Sequence, residues 1–488
     1  MLTTQEIKTF IDNDAASKKK QLAKMGLRYY EADHDIRQYR IFFVDADGQM
    51  QEDKTKSNIK ICHPFFTELV DQEVQYMLSG KDGFVKSDIP ELQNQLDEYF
   101  NENEDFLSEL YEIITGCVSK GFEYAYAYKA ADGKTSFQCA DSIGVVEVKA
   151  KETDDGCEYV IFWYVDRIGK DNKKITRIQV WDEKETHFFV QEDNGKILPD
   201  ESAEINPRPH VIYKKEGEDG TYFDGFGFIP FFRLDNNRKQ VSDLKAIKDL
   251  IDDYDLMSCG LSNNIQDTNE ALYVVKGFQG DNLDELMLNM KAKKHVGVDE
   301  EGGVEIHTVD IPYQARQTKL ELDEKNIYRF GMGFNSAQLG DGNITNVVIK
   351  SRYALLDLKC NKLEIRLKQF MRKLLKIVLA EINEEHDTDY QQKDVYFDFE
   401  REVMTNAADN AQIELTDAQR RQTEINTIMN LQQVIDDDTR LQLIAEQLDM
   451  DYADLKSKQP VLDEQASAMT ALNNIPIQDE TGGVVNVE

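Results

Sequence analysis

A helix-rich α+β protein is expected from three features of the chain. Residues 1–236 mix helical segments with strands of alternating pattern. The stretch from Val241 to about Asn269 contains no proline, and its apolar residues recur three and four apart. A third segment, about Thr345 to Glu385, keeps helical character long enough to span roughly 60 Å at 1.5 Å per residue.

In the first region a polar helix near 4–25 leads to YYEADHDIR. A helix near 64–79 (PFFTELVDQEVQYMLSG) runs up to Gly80, read here as its C-cap. A helix near 104–120 enters GFEYAYAYKAADGKTSFQCA, where Phe122, Tyr124, Tyr126 and Tyr128 alternate with small or polar residues. With Asp132-Gly133 as the turn, that is a hairpin. Strands continue through 158–191 (EYVIFWYVD, ITRIQVWD, THFFVQ), and the region reads as one helix-flanked antiparallel sheet.

The pattern changes after FGFIPFFRLDNN. On the 241–269 helix, Leu244, Ile247, Ile251, Tyr254, Ser258, Leu261 and Ile265 form a narrow seam, as in helices packed side by side. A compact unit follows: a strand (ALYVVKGF), a short helix (DNLDELMLNMKAK), and two strands (KHVGVD, GVEIHTVDI) joined at Glu301-Gly302-Gly303. A second helix, Tyr313–Phe334, precedes a Gly/Asn-rich loop, 335–347. On the long helix, Val348, Leu355, Leu363, Leu367, Phe370, Leu374, Val378 and Ile382 are apolar. Another face carries Lys350, Arg352, Lys359, Lys362, Arg366, Lys368, Arg372, Lys373 and Lys376. Residues 405–458 read as short polar helices, one capped by the Asp436–Asp438 run, and the tail from 459 reads as flexible.

The 488 residues exceed one ordinary core, and 41% hydrophobic content supports several. With 57 Lys and Arg against 92 Asp and Glu, the formal charge is −35. That balance argues against tight, salt-sensitive DNA binding and remains compatible with DNA passing along a repulsive wall. Cys62, Cys117, Cys139, Cys157, Cys259 and Cys360 show no CxxC spacing, which suits reduced thiols of a cytosolic protein. The N-terminus MLTTQEIKTF lacks a signal-like apolar run, and no stretch approaches the ~18 apolar residues of a membrane span.

Catalytic patterns fail one by one. Gly133-Lys134-Thr135 resembles the end of a phosphate-binding loop, but its first glycine is replaced by Tyr128. Asp252, Asp253 and Asp255 invite a two-metal nuclease reading, yet on a helix they do not share one face. Asp33-His34-Asp35 has no second cluster at ligand spacing. Neither catalytic residues, a metal centre nor a cofactor is assigned. The basic face of the long helix is either a surface paired with the acidic chain or a neighbouring subunit, or a phosphate contact. Loop 335–347 is either a plain connection or a mobile tip, which Gly and Asn suit.

The order of these parts resembles the portal proteins of siphophages infecting Gram-positive bacteria. The resemblance rests on YYEADHDI, LVDQEVQYMLSG, FGFIPFFRLDNNRKQVSDLKAIKDLIDDYDLMSCGLSNNIQDTNEALYVVKGF, GGVEIHTVDIP, IYRFGMGFN and ALLDLKCNKLEIRLKQFMRKLL. It covers about residues 25–400. Where the family opens the long helix with a Ser-Gly-x-Ala-Leu-Lys type stretch, this chain has Thr345-Asn346-Val347-Val348-Ile349-Lys350, a stiffer β-branched first turn.

The resemblance implies a portal architecture with no enzyme activity. Residues 1–236 would be the wing, joined by the long helix and its return (345–400). Residues 237–269 and 312–334 would be stem helices, with Leu244, Ile247, Ile251, Tyr254, Leu261 and Ile265 packing the first. Residues 270–311 would be the clip, whose Lys291, Lys293 and Lys294 either solubilise a helix end or form part of a docking surface. Residues 335–347 would be the tunnel loop, facing DNA with Asn335, Ser336, Gln338, Asp341, Asn343 and Asn346. Residues 401–470 would be the crown and 471–488 a flexible tail. It further implies a ring of about twelve copies at one capsid vertex of a virion assembled in the host cytoplasm. Its partners would be duplex DNA passing without sequence specificity, terminase, head-completion adaptors, scaffolding protein and major capsid protein, with no membrane. A metal-dependent nucleic-acid-processing enzyme and a helical adaptor or scaffold without a channel are the competing readings.

Overall fold

A computed structural model describes residues 1–457, apart from 46, 55, 131, 152–155, 169–172, 194, 215–220, 268–271, 279–281, 283–285, 287–297, 308–311, 336–345, 403–406, 432–434 and 448–450. The chain divides into two compact units, Met1–Gly342 with Ile349–Val403, and Asn343–Val348 with Met404–Glu488.

The polar segment near 4–25 is two helices, α1 (Thr4–Ala16) and α2 (Lys18–Tyr30). Ser17 sits between them in an extended conformation (ψ 145°), and its hydroxyl accepts the Lys20 backbone N–H. A serine that can bond the local backbone favours a cap over helix interior, so it ends one helix and starts the next. A small hairpin follows, β1 (Phe42–Val44) and β2 (Met50–Glu52). Helix α3 (Phe65–Met77) stops at Leu78 and is not capped by Gly80. Gly80 answers a different need, because a Cβ there would lie 2.7 Å from the Glu400 carbonyl oxygen. Strand β3 (Val85–Ser87) and helix α4 (Pro90–Leu96), extended by a wider π turn at Asp97–Asn101, lead to α5 (Glu104–Lys120). Asn103 caps α5 at its start, and Gly121 closes it in the left-handed region at φ 98°.

The aromatic alternation forms the expected hairpin, β4 (Phe122–Lys129) against β5 (Thr135–Ala140), with Gly133 at φ 87° in its turn. The region is not one sheet, however. Strands β6 (Val145–Val148), β7 (Tyr159–Ile168), β8 (Lys173–Trp181), β9 (Glu185–Glu192), β10 (Ile197–Pro199) and β11 (Arg208–Pro209) form a separate antiparallel sheet. Strands β12 (Val211–Lys214) and β13 (Thr221–Asp224) pair with each other, and β14 (Phe231–Asp235) joins β4 on the first sheet. Aromatic side chains of the two larger sheets meet. Trp181 of the second sheet lies 5.6 Å from Tyr126 and 5.2 Å from Phe231, which are neighbours on the first. Residues of both sheets, among them Phe122, Tyr124, Val160 and Trp181, share one buried cluster, while Val146, Ile161, Ile178 and Phe189 pack with Ile7 of α1, and Ala125, Ala127 and Phe137 belong to the main core with α5.

The helix expected without a break from Val241 starts as a 3-10 turn, Asp243–Ala246, capped by Ser242. The α-helix α6 (Lys248–Asp267) begins only after Ile247, whose φ of −128° interrupts the winding. Strand β15 (Leu272–Phe278) pairs with β16 (Val298–His307), and the register breaks between Lys276, opposite Gly303, and Phe278, opposite Val298, so the pairing is interrupted at the expected Glu301-Gly302-Gly303 join. Gly302 lies at this break, where a Cβ would come 2.6 Å from the Lys276 carbonyl oxygen and 3.0 Å from the Asp299 backbone nitrogen, so the tight bend favours glycine. Of the intervening helix only Asn282 and Leu286 are described, joined by one i to i+4 backbone bond of 3.3 Å. Helix α7 (Tyr313–Gly331) ends at Met332 in the left-handed region.

The long helix, α8 (Asn346–His386), has 41 residues and holds the core together. Leu356, Leu363, Leu367, Phe370, Leu374, Val378 and Ile382 are at most 2% exposed, against residues of α3 and α5. Leu356 replaces the expected Leu355, which is 42% exposed. Strand β17 (Val395–Phe397) returns to pair with β3. In the second unit, α9 (Ala407–Asn430) is longer than expected and precedes α10 (Asp437–Gln447) and α11 (Tyr452–Ser457). Asp436 caps α10 through the Thr439 backbone N–H, and Lys456 of α11 binds Asp438 at 2.8 Å.

Candidate functional site

The described residues at the base of loop 335–347 form a braced frame. On the α7 side, Gln72 of α3 binds both backbone groups of Phe334. Its Nε2 donates to the Phe334 carbonyl at 2.7 Å, and its Oε1 accepts the Phe334 N–H at 2.9 Å. Asn335 Nδ2 donates to Glu324 Oε1 at 2.7 Å. Phe334 stacks on Tyr353 of α8 at 5.2 Å, and Tyr353 meets Tyr76 of α3 at 5.4 Å. The rings therefore join the segments entering and leaving the loop. Gly331 and Gly333 leave room for Leu69, whose methyl carbons would lie 2.6 and 2.0 Å from their Cβ atoms. Ser336, Gln338, Asp341 and Asn343 lie outside the described residues, and for Asn346 only its place at the start of α8 is described.

Two buried charge knots hold this frame. Lys359 of α8 lies 2.7 Å from Glu73 of α3 and 2.7 Å from Asp243, just ahead of α6. Glu73 is 1% exposed, so burial pushes its carboxyl up to about 7, while the Lys359 ammonium pulls the other way. Burial opposes the charge on Lys359 as well, but Asp243 and Glu73 outweigh it and raise its pKa. The second knot centres on Asp255 of α6, which is 0% exposed. His34 Nδ1 is 2.6 Å from one carboxylate oxygen, and His63 Nδ1 is 2.7 Å from the other. The His63 backbone N–H also donates to Asp255 at 3.0 Å. Burial opposes ionisation of Asp255, but these contacts prevail and lower its pKa.

A His34 nitrogen, Cys62 Sγ and an Asp255 oxygen come within 4.8 Å of one another, a grouping hidden by their spacing in the chain. Both carboxylate oxygens are already engaged by imidazoles, so the group acts as a clamp from the N-terminal segment to α6. The aspartates of the possible nuclease cluster are parted. Asp252 binds Lys248 and Tyr29, Asp253 binds Lys319, and Asp255 binds the two histidines. Lys134 of the Gly-Lys-Thr sequence extends from a hairpin to Glu98 at 2.7 Å, not from the strand–loop–helix a phosphate would need. A groove of about 1100 Å³ runs along Tyr126, Trp181, His210 and Phe226. Burial there moves His210 down to about 4, which keeps it uncharged at neutral pH.

The seam on the first long helix is split by depth. Leu244, Ile247 and Ile251 are at most 2% exposed in the chain's own core, and Tyr254 packs edge-on to Phe65 at 4.9 Å. Leu261 is half-buried and Ile265 is 54% exposed. Lys291, Lys293 and Lys294 lie outside the described residues. The expected basic face of α8 is also divided, since Lys359 is an interior cation. Asp357 and Glu364, which could have neutralised the others, are bound by Arg401. That arrangement needed Arg401 to return from outside the helix, and the helix sequence carries no signal of it.

These features build a frame: the long helix is clamped by a buried charge to α3 and to the turn ahead of α6, beside the two anchors of the loop. A family model described as Phage portal protein, SPP1 Gp6-like, matches residues 9–453. The portal protein of Bacillus phage SPP1 is 27% identical over 350 residues, covering 71% of this chain and 67% of that protein. The portal protein of Clostridium phage phiCD119 is 24% identical over 427 residues, covering 84% and 88%. The chain belongs to the SPP1 Gp6-like phage portal family. Members are structural virion proteins that form oligomeric rings associated with the capsid. Among the described residues no helix is long and apolar enough to cross a membrane.

Proposed function

We propose that this chain forms the ring at one capsid vertex through which double-stranded DNA is packaged and later ejected. The match over residues 9–453 carries this reading, because it spans the helix pair, the loop and the long helix together. Residues 1–236 with α8 and its return form the wing, 237–269 and 312–334 the stem, and 270–311 the clip. Loop 335–347 is the tunnel loop, 401–470 the crown and 471–488 a tail. The clip is the docking site for terminase during packaging and for head-completion proteins afterwards, with Lys291, Lys293 and Lys294 at its surface. Scaffolding and major capsid proteins surround the ring during assembly.

The portal acts by shape, charge and loop position, and bond-making chemistry belongs to its partners. The bracing at the loop base supports this division. Gln72 and the Phe334–Tyr353 stack hold both anchors of the loop in place. The net charge of −35 keeps DNA from adhering to the wall.

Negative-stain images of purified protein should show rings with a hole wide enough for duplex DNA. A monodisperse monomer or dimer at high protein concentration sinks this reading. Deleting residues 337–342 should leave rings intact and impair DNA packaging or retention. Loss of the rings would instead make the loop a structural element.

A further inference from the structure

The outer face of α8 keeps five cations for which the chain supplies no counter-charge among the described residues. Lys362, Arg372, Lys373 and Lys376 are exposed and Arg366 is half-buried. Of the helix's own carboxylates, Glu364 is engaged by Lys368 and Arg401, Asp357 by Arg401 and Glu381 by Lys129, while Glu384 and Glu385 lie two or more turns beyond Lys376. At 100° per residue the five fall within about 120° of arc along about 21 Å of helix. The same face exposes Leu358 (49%) and Ile365 (64%). Unpaired cations interleaved with apolar side chains are unusual on a chain carrying 92 acids against 57 bases.

A complementary surface lies on the same chain. Glu91 of α4, Glu102, and Glu104, Asp105 and Glu112 of α5 are exposed, with no cation partner among the described residues. The three on α5 lie within about 100° of arc. Two different, complementary surfaces on one subunit are what a head-to-tail ring contact requires.

We propose that the face of α8 from Leu358 to Lys376 docks against the acidic α4–α5 surface of a second copy of this chain. The inference rests on the ring reading and names the surfaces that close the ring. A phosphate backbone is the less suited occupant, because Leu358 and Ile365 gain nothing from it, whereas a protein surface would bury them. Like-charged copies also need such a patch to overcome their mutual repulsion.

Charge reversal tests it on the full chain. The variant Arg372→Glu, Lys373→Glu, Lys376→Glu changes exposed side chains only and should keep the parent's circular dichroism spectrum and melting profile. It should lose the ring peak in size exclusion with light scattering. The variant Glu104→Lys, Asp105→Lys, Glu112→Lys should lose it too, and a chain with all six changes should recover it. Rings of unchanged salt resistance in the α8 variant would overturn the proposal and leave the portal reading standing. So would intact rings that lose affinity for a fluorescent 30-base-pair duplex, which would make the face a phosphate contact. A six-change chain that stays monomeric would overturn the pairing of these two surfaces. An unaltered parent that never forms rings would remove the portal reading itself, and this inference with it.

Discussion

Lys359→Met should lower the stability of the chain by about 3–5 kcal/mol, the usual cost of removing one partner from a buried ion pair. Methionine fills much of the space left by the lysine stem, so the loss is mainly electrostatic. Glu73, 1% exposed, and Asp243 would face each other across the vacated ammonium position. Urea unfolding followed by tryptophan fluorescence at pH 5 and pH 8 would measure it. The sign follows from the raised pKa of Glu73. A carboxyl whose pKa rises from 4.5 to about 7 on folding holds its proton in the folded state, and its stability contribution is lost as the pH climbs through that window. Without Lys359 to hold the anion, the deficit should therefore be larger at pH 8 than at pH 5. An equal deficit at both would show that Lys359 acts by packing alone. Glu73→Gln should flatten the same pH dependence.

Asp255→Ala should cost a similar amount, about 3–5 kcal/mol. It leaves the His34 and His63 Nδ1–H groups and the His63 backbone N–H facing a buried void. Asp255→Asn keeps one acceptor oxygen and should cost less. The Asp255 pKa is lowered on folding, so its contribution is present above the ordinary value of 3.8 and lost as the pH falls through the lowered one. The alanine variant should therefore show its full deficit at pH 7 and a shrinking one under acid. Limited proteolysis gives a local readout, because the carboxylate ties the segments around His34 and His63 to α6. Cleavage between residues 35 and 63 should accelerate several-fold. If the variant melts and cleaves like the parent, Asp255 does not clamp those segments.

Much of the local structure could be read from the chain. The α5 helix from Asn103 to Gly121, the Tyr-rich hairpin and the 41-residue helix each depend on neighbours within a few turns. Caps, alternation and the 3.6 period act over that range. The misreadings came where local and distant demands compete. Ser17 prefers a cap to helix interior, and Gly80 serves close backbone approach rather than a cap. The single expected sheet became several because alternation reports which face of a strand is apolar, not what covers it.

The portal resemblance was legible because an ordered set of local segments survives in the sequence, and the family match extends it over residues 9–453. The charges of the candidate site were not. Asp252, Asp253 and Asp255 look like one acidic cluster, yet each turns to a different partner. The basic stripe of α8 looks uniform, yet Lys359 serves the interior while Lys373 and Lys376 face out. Local order follows from torsions and hydrogen bonds between near neighbours, so it is written in short spacings. Partners such as Glu73 and Lys359 meet only after the backbone has closed a long loop, at an entropy cost that scarcely depends on which residues lie between. Their meeting is set by packing of the whole core, and packing of that range leaves no periodic mark in the chain.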